Sequence, residues 1–307
     1  MEMKYSPFAL GATLYMPATR DDIVAAATGR KIPSLKSMVI CLEDAVADSD
    51  VEFALNNLQL ITKELAQKKS VSSKPLVFIR PRNTEMAKYI VANYDLSGVN
   101  GFVFPKFTLD SLEDWAQITS DTHLIWMPTL ETRDVFDASE MQKLATALSI
   151  HPMKDRIIAL RIGGNDLMSV IGVRRSRTAT IYQGPLSYVI KMLTCTFGAL
   201  GFSLTSPVFE LIEKPELLQE EIEQDLIHGL VGKTAIHPTQ IEYIQNAWMV
   251  DHAEYEDALR IINSTKAVYQ HAGAMCEPAT HRQWAKNILE RSKLFGINHT
   301  DMESLSI

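Results

Sequence analysis

The sequence predicts an α/β fold, a (β/α)8 barrel with a small C-terminal helical appendage, and three observations carry that expectation. Eight short apolar runs alternate with amphipathic segments of helical length, as successive βα units require. Each run is nearly unbroken, which is how a parallel strand buried on both faces reads. The 307 residues also fit one barrel of about 250 residues with a short extension.

The candidate strands, in order, are 12–16, 37–42, 76–79, 101–104, 124–127, 157–162, 202–204 and 234–236. Between them the helical pattern predicts segments over 21–28, 51–67, 109–118, 135–148, 186–200 and 215–228, several opened by Asp, Ser, Thr or Pro as caps. After Pro238 two long helical segments, 239–270 and 277–294, follow with no strand between them. The HAGAMCEP stretch that joins them holds Gly273 and Pro278 and is expected to be a turn or loop. The barrel is therefore assigned to 1–248 and the helical lid or oligomerisation segment to 249–307, with the last residues, from about Asn298, expected to fray.

The net charge of -7 argues against nucleic acid as the main partner, because polyanion binders usually present a basic surface. MEMKYSPFALGATLYMP has no apolar run of signal-core length, and no later stretch approaches the roughly 20 apolar residues of a membrane span. A cytoplasmic location is expected, with no membrane partner. Cys41, Cys195 and Cys276 are odd in number and lack metal-ligand spacing, as a reducing compartment permits. Cys41 and Cys195 are expected to be small buried hydrophobes.

Function is signalled by where the charges fall. Glu43 and Asp44 follow MVICL, Arg80 follows PLVFI, Lys106 follows GFVFP, Glu131 follows LIWMPTL, and Asp166 follows IIALRIGGN. In a barrel these positions converge on the loops at the carboxyl ends of the strands, where such enzymes place their chemistry. Taken singly, each acid is also explained as a helix cap and each base as solvated. Glu131 and Asp166, on neighbouring strands, offer two carboxylates with no histidine or cysteine beside them, which favours a hard ion, Mg2+ or Mn2+. Gly163 and Gly164 suit either close backbone approach or a plain tight turn. Arg80 presents a fork suited to a carboxylate or phosphate, and a salt bridge to Glu43 or Asp44 is compatible with that use. Gly164 and Asn165 complete the expected substrate-binding residues.

Together the motifs ICLEDAV, FIRPRN, GFVFPKF, TLET, GGNDL and GKTAIHPTQI resemble the citrate lyase β-subunit-like branch of the HpcH/HpaI aldolase superfamily. The resemblance runs from LYMPATR to the appendage, and GKTAIHPTQI with LEDAV is its most diagnostic part. It implies a TIM barrel that binds Mg2+ through Glu131 and Asp166, an arginine, Arg80, that contacts the substrate, and Glu43 and Asp44 near the metal waters. It further implies reversible carbon-carbon bond cleavage next to a 2-oxo or 3-hydroxy acid or its coenzyme A thioester, through a metal-stabilised enolate. Lys106 then reads as an electrostatic or structural partner rather than a nucleophile. Glu277, in MCEP, matches an acid that in such proteins covers a neighbouring subunit's site, so a homo-oligomer, with a trimer in view, is expected.

Departures fall on the loops. GAT at Gly11–Thr13 replaces an arginine used with coenzyme A phosphates, which leaves coenzyme A use open, and Ser206 replaces an acid. Arg174, Arg175 and Arg177 are read as a solvated basic loop in preference to an anion-binding one. His237 is read as a buried structural histidine in preference to a catalytic one. The reading that results is a Mg2+-dependent carbon-carbon lyase acting on a small carboxylic acid. A malate synthase-like condensing or hydrolysing enzyme and a catalytically weakened binding protein are the alternatives.

Overall fold

The computed structural model describes residues 5–68, 74–271 and 273–299. Eight parallel strands form one sheet: β1 (Gly11–Pro17), β2 (Ser37–Cys41), β3 (Leu76–Arg80), β4 (Gly101–Phe104), β5 (Ile125–Leu130), β6 (Leu160–Ile162), β7 (Leu204–Thr205) and β8 (Gly232–Ala235). They lie side by side in chain order from β1 to β7, with β8 beside β1. A parallel bridge between Ser206 and Lys233 joins the end of β7 to β8. The amides of Val231 and Ser206, 2.9 Å and 2.8 Å from the carbonyls of Leu204 and Gly232, complete that joint, so the sheet closes into the expected (β/α)8 barrel.

The helices after the strands are α1 (Ile23–Ala27), α2 (Val51–Gln67), α3 (Thr84–Asn93), α4 (Leu112–Thr119), α5 (Ala138–Ile150), α6 (Gly164–Val170), α7 (Leu186–Gly198), α8 (Pro215–Ile227) and α9 (Thr239–Ala247). Helix α2 shows why these segments are helical: Ala54, Leu58, Ile61 and Leu65 recur on one stripe and are buried. Each such leucine or isoleucine contributes about 1.5–3 kcal/mol by leaving water. Helix α3 was not among the expected segments, because it buries only Ala87 and Ile90 and so carries little amphipathic signal. The side chain of Asn83 accepts a bond from the Met86 amide at 2.9 Å and caps α3. Asn83→Ala is expected to lower stability by about 1 kcal/mol, measured by urea unfolding, with ligand binding unchanged.

The strands place the site by their pleat. Val39, Phe78, Met127 and Ala159 belong to one apolar cluster that Tyr15 joins. Two residues further along the same strands, Cys41, Arg80, Thr129 and Arg161 line a cavity of about 220 Å³. With a side-chain period of two, a polar layer thus sits directly beyond an apolar one on the same face. The opposite face packs on helices, with Phe104 stacked on Trp115 of α4 at 4.2 Å between ring centres. Strand β5 continues through Pro128 to Leu130, past the expected end at Met127, because Pro128 pairs with the last residue of β4 and interrupts little of the ladder.

The chain divides into two units, Met1–Ile244 and Gln245–Ile307. In the second, β9 (Val250–Asp251) leads into α10 (His252–Asn263), and an antiparallel pair, β10 (Tyr269–His271) and β11 (Ala274–Cys276), precedes α11 (Pro278–Phe295). Strand β12 (Ile297–Asn298) pairs with β9. The core is Val250, Ala258, Ile261, Ala285 and Ile288. The expected unbroken helix over 239–270 is therefore corrected. Helix α9 ends at Ala247, β9 intervenes, and Asp251 starts α10 as its cap, accepting a bond from the Ala253 amide at 2.7 Å. The expected loop at HAGAMCEP contains the β10–β11 hairpin, whose Gly273 has φ +78. The expected fraying of the tail falls mostly on 300–307, outside the described residues.

Candidate active site

The strand-end charges meet at one mouth of the barrel. Arg80, at the end of β3, is buried, and its Nη2 lies 2.8 Å from Glu43 Oε2 and 2.9 Å from Glu131 Oε1. Its Nη1 is 3.5 Å from Asp44 Oδ2. The Lys106 ammonium pairs with Glu43 and stands 4.0 Å from Asp44 Oδ1 and 4.0 Å from Asp166 Oδ1. Lys106 has φ 48, a conformation non-glycine residues rarely adopt, and its amide donates to Glu131 Oε1 at 2.8 Å. Glu131 Oε1 thereby takes two donors while Oε2 takes none among the described residues. Gly163 makes the placement possible: a Cβ there would lie 2.4 Å from both the Cβ and Oε2 of Glu131. At Gly164 a Cβ would lie 2.8 Å from the Pro207 side chain.

The FIRPRN motif divides its labour. Arg80 enters the site, Arg82 donates to the Leu42 carbonyl at 2.9 Å and also grips Val46 and Asp48, and Asn83 caps α3. Arg82 thus ties down the loop that carries Glu43 and Asp44.

Charge is unevenly distributed here. Burial, helped by Asp166 and Glu43, pushes the Glu131 carboxyl up to about 7 against the pull of Arg80. Burial and its neighbour Glu43 push Asp44 up to about 6, while against its own burial the bond to Asp44, then Arg80 and Lys106, bring Glu43 down. Asp44 is thus the member of the pair that carries a proton most readily. Glu131 and the partly exposed Asp166 both line the cavity, and no group of three or more His, Cys, Asp or Glu forms a cage among the described residues. Two carboxylates lining one cavity, one of them pushed up by burial, fit a hard divalent cation that takes its remaining ligands from water and substrate. They do not fit a soft metal.

Gly164 and Asn165 line the cavity with Asp166, and Asn165 is exposed there. Glu277 belongs to the second unit, at the N-cap position of α11. The expectation for the arginine cluster is corrected. Arg175 is buried, with Nε 2.6 Å from Glu210 and Nη1 paired with Glu221, whereas Arg174 and Arg177 are exposed. His237 is exposed, not buried; its Nδ1 lies 2.8 Å from Thr239 Oγ1 and accepts from the Thr239 amide at the start of α9. Cys41 is buried as expected but Cys195 is exposed, because it lies on the outer face of α7.

Sequence reasoning missed Tyr15, Thr129, Arg161 and Glu210, all of which line the cavity. Arg161 left a signal, since a charge inside the apolar run IIALRI has to face something polar. It also missed a buried cluster behind β8. Lys233, fully buried, lies 3.0 Å from Glu221 and 2.8 Å from Asp225 on α8, and Tyr182 donates to Asp225 at 2.6 Å. Ser206 Oγ, 3.5 Å from Lys233, sits in this cluster.

A closed parallel barrel with acids, an arginine and a lysine gathered at the carboxyl ends of its strands defines a barrel enzyme framework. Residues 4–297 match a family described as C-C bond lyase of the TIM-barrel fold, and the chain belongs to that family. A (3S)-malyl-CoA thioesterase of Cereibacter sphaeroides is 23% identical over 261 residues, covering 85% of this chain and 84% of the relative. A citrate lyase subunit beta-like protein of Mycobacterium tuberculosis is 24% identical over 256 residues, covering 83% and 84%. Among solved structures, CitE from M. tuberculosis in complex with magnesium, acetoacetate and coenzyme A superposes with a TM-score of 0.68 at 21% identity, covering 93% of this chain and 99% of that one. These likenesses agree with the citrate lyase β-like branch. No helix among the described residues is long and apolar enough to cross a membrane.

Proposed function

We propose that the protein is a Mg2+-dependent lyase that makes or breaks a carbon-carbon bond in a small 2-oxo or 3-hydroxy acid or its coenzyme A thioester. The observation that carries this reading is the Glu131–Asp166 pair beside Arg80 in the barrel-mouth cavity. Glu131 and Asp166 would hold the cation, with Mn2+ as a substitute, and it would supply Lewis acidity that stabilises negative charge developing on a chelated carbonyl oxygen. Arg80, fixed by three carboxylates, directs its charge at the same region and costs no reorganisation during reaction. Asp44, pushed up to about 6, is suited to pass a proton near neutral pH, and Lys106 keeps Glu43 ionised beside it. The catalytic set is thus Arg80, Glu43, Asp44 and Lys106, with Gly164 and Asn165 beside the substrate and Glu277 assigned to a second copy's site in a homo-oligomer. The protein acts in the cytoplasm on this reading.

The experiment is to incubate the protein with Mg2+ and a panel of oxo acids, hydroxy acids and their thioesters, following both fragments and free thiol. Carbon-carbon cleavage abolished by EDTA and restored by Mg2+ is expected. Metal-independent thiol release without cleavage would refute the lyase reading and favour a thioesterase, the activity for which the Cereibacter relative is named.

Proton and cation compete at Glu131. With its carboxyl pushed up to about 7, the metal-free protein holds a proton there below that pH. Mg2+ affinity is expected to fall about tenfold per unit as pH drops below 7 and to level off above 8. Calorimetry in two buffers of different ionisation heat should show close to one proton released at pH 6 and almost none at pH 8.5. The sign for stability is opposite: a raised acid favours the fold below the ordinary glutamate range, and this contribution is lost as pH rises through about 7.

A further inference from the structure

Two guanidinium groups line the cavity, and they are in opposite electrical situations. Arg80 is surrounded by Glu43, Glu131 and Asp44. Arg161, only 3% exposed, has no carboxylate within 4 Å among the described residues. Its Nη1 reaches the Met127 sulfur at 3.8 Å, its Nη2 donates to the Thr234 hydroxyl, and its guanidinium lies 5.1 Å from the centre of the Tyr15 ring. None of these partners neutralises a charge. Burial pushes Arg161 downward from its ordinary value, and the repulsion of Arg80 adds to it, by more than Tyr15 and the more distant Glu131 carboxylate restore. A buried charge of this kind is costly unless something pairs with it.

The surroundings are arranged for such a partner. Thr129 is paired with Arg161 across β5 and β6, and its buried Oγ1 has no hydrogen-bond partner among the described residues. Thr129, Arg161, Thr234 and Tyr15 line the same cavity as Glu131 and Asp166. Glu210, also in the lining, is engaged by Arg175 and is not available to Arg161.

The geometry points to Arg161, with Thr129, as the receptor for a second carboxylate of the substrate, so that the site selects 2-oxo acids carrying two carboxylates over those carrying one. The inference rests on the reading of Glu131 and Asp166 as the cation site, which takes the substrate's other end. A planar fork with one unit of charge and an adjacent free hydroxyl suits a carboxylate. This assigns to Arg161 the anion recognition expected of Arg80, whose charge is shared among Glu43, Asp44 and Glu131.

The test is calorimetric titration of fresh oxaloacetate and of pyruvate into the Mg2+-loaded full chain, for the native protein and for Arg161→Met, Arg161→Lys and Asp166→Asn. The native protein is expected to bind oxaloacetate at least about tenfold more tightly than pyruvate. Arg161→Met should weaken oxaloacetate by about 10- to 100-fold and leave pyruvate within about threefold, with Arg161→Lys between. The unliganded Arg161→Met protein should melt at the native temperature or above it, since a structural arginine would lower it on removal. Equal weakening of both acids, no weakening of either, or a native protein that prefers neither acid would overturn the inference. Asp166→Asn tests the underlying reading separately: unchanged Mg2+ affinity in that variant removes the cation site but leaves any Arg161-dependent preference measurable.

Discussion

Gly163→Ala is expected to cost more than 100-fold in turnover and about 10- to 100-fold in Mg2+ affinity, although it adds one methyl group and removes no charged side chain. The added Cβ would fall 2.4 Å from the Cβ and Oε2 of Glu131, a distance at which one of the two has to move. Glu131 has little freedom to yield, since its Oε1 is fixed by Arg80 at 2.9 Å and by the Lys106 amide at 2.8 Å. Displacing it breaks both bonds and unseats the carboxylate from its place beside Asp166. Gly184→Ala is the matched control, because a Cβ there meets nothing nearer than 3.7 Å. Calorimetry for Mg2+ and steady-state rates check the pair. Native affinity and rate in Gly163→Ala would show that Glu131 does not hold the cation.

Lys233→Met should lower global stability by about 3–5 kcal/mol. The ammonium sits between Glu221 and Asp225, all three groups fully buried, and its removal strands two carboxylates in a dry interior. Arg175 still meets Glu221 and Tyr182 still donates to Asp225, so Asp225 is the acid left most exposed to the loss. Burial already pushes Asp225 upward in the intact cluster. The deficit should therefore shrink as pH falls and Asp225 takes up a proton. Urea unfolding of the variant and the native protein at pH 5 and pH 8 measures both effects, and a deficit independent of pH would contradict this account.

How legible was this molecule in its sequence? The barrel was, because unbroken apolar runs mark strands buried on both faces, and the acids that end them mark where those strands leave the core. Glu43, Asp44, Arg80, Lys106, Glu131 and Asp166 are consequently found together. The sequence showed residues at strand ends better than residues within strands. Arg161 was hidden in an apolar run that reads as core, and only the pleat, which places it two residues beyond Ala159 on the same face, turns it toward the cavity. Arg175 looked like one of three solvated arginines because its partners, Glu210 and Glu221, lie far along the chain. Lys233 stood in a recognisable motif whose reason was invisible, since Glu221 and Asp225 precede it on α8. The break between α9 and α10 is hard to see in the sequence because β9 is only two residues long and Asp251, which caps α10, barely interrupts the helical periodicity.

The joint between β7 and β8 has a consequence for how the molecule is made. Strand β1 is synthesised before the other seven, yet its second neighbour, β8, comes last among them. Until that segment is synthesised, β1 and β7 are open edges of the kind that invite pairing with other chains. The last stave also brings a lysine that enters the dry interior only together with the acids of α8. Ring closure and the docking of that helix are thereby one event, and a nascent chain stopped short of Lys233 would have neither.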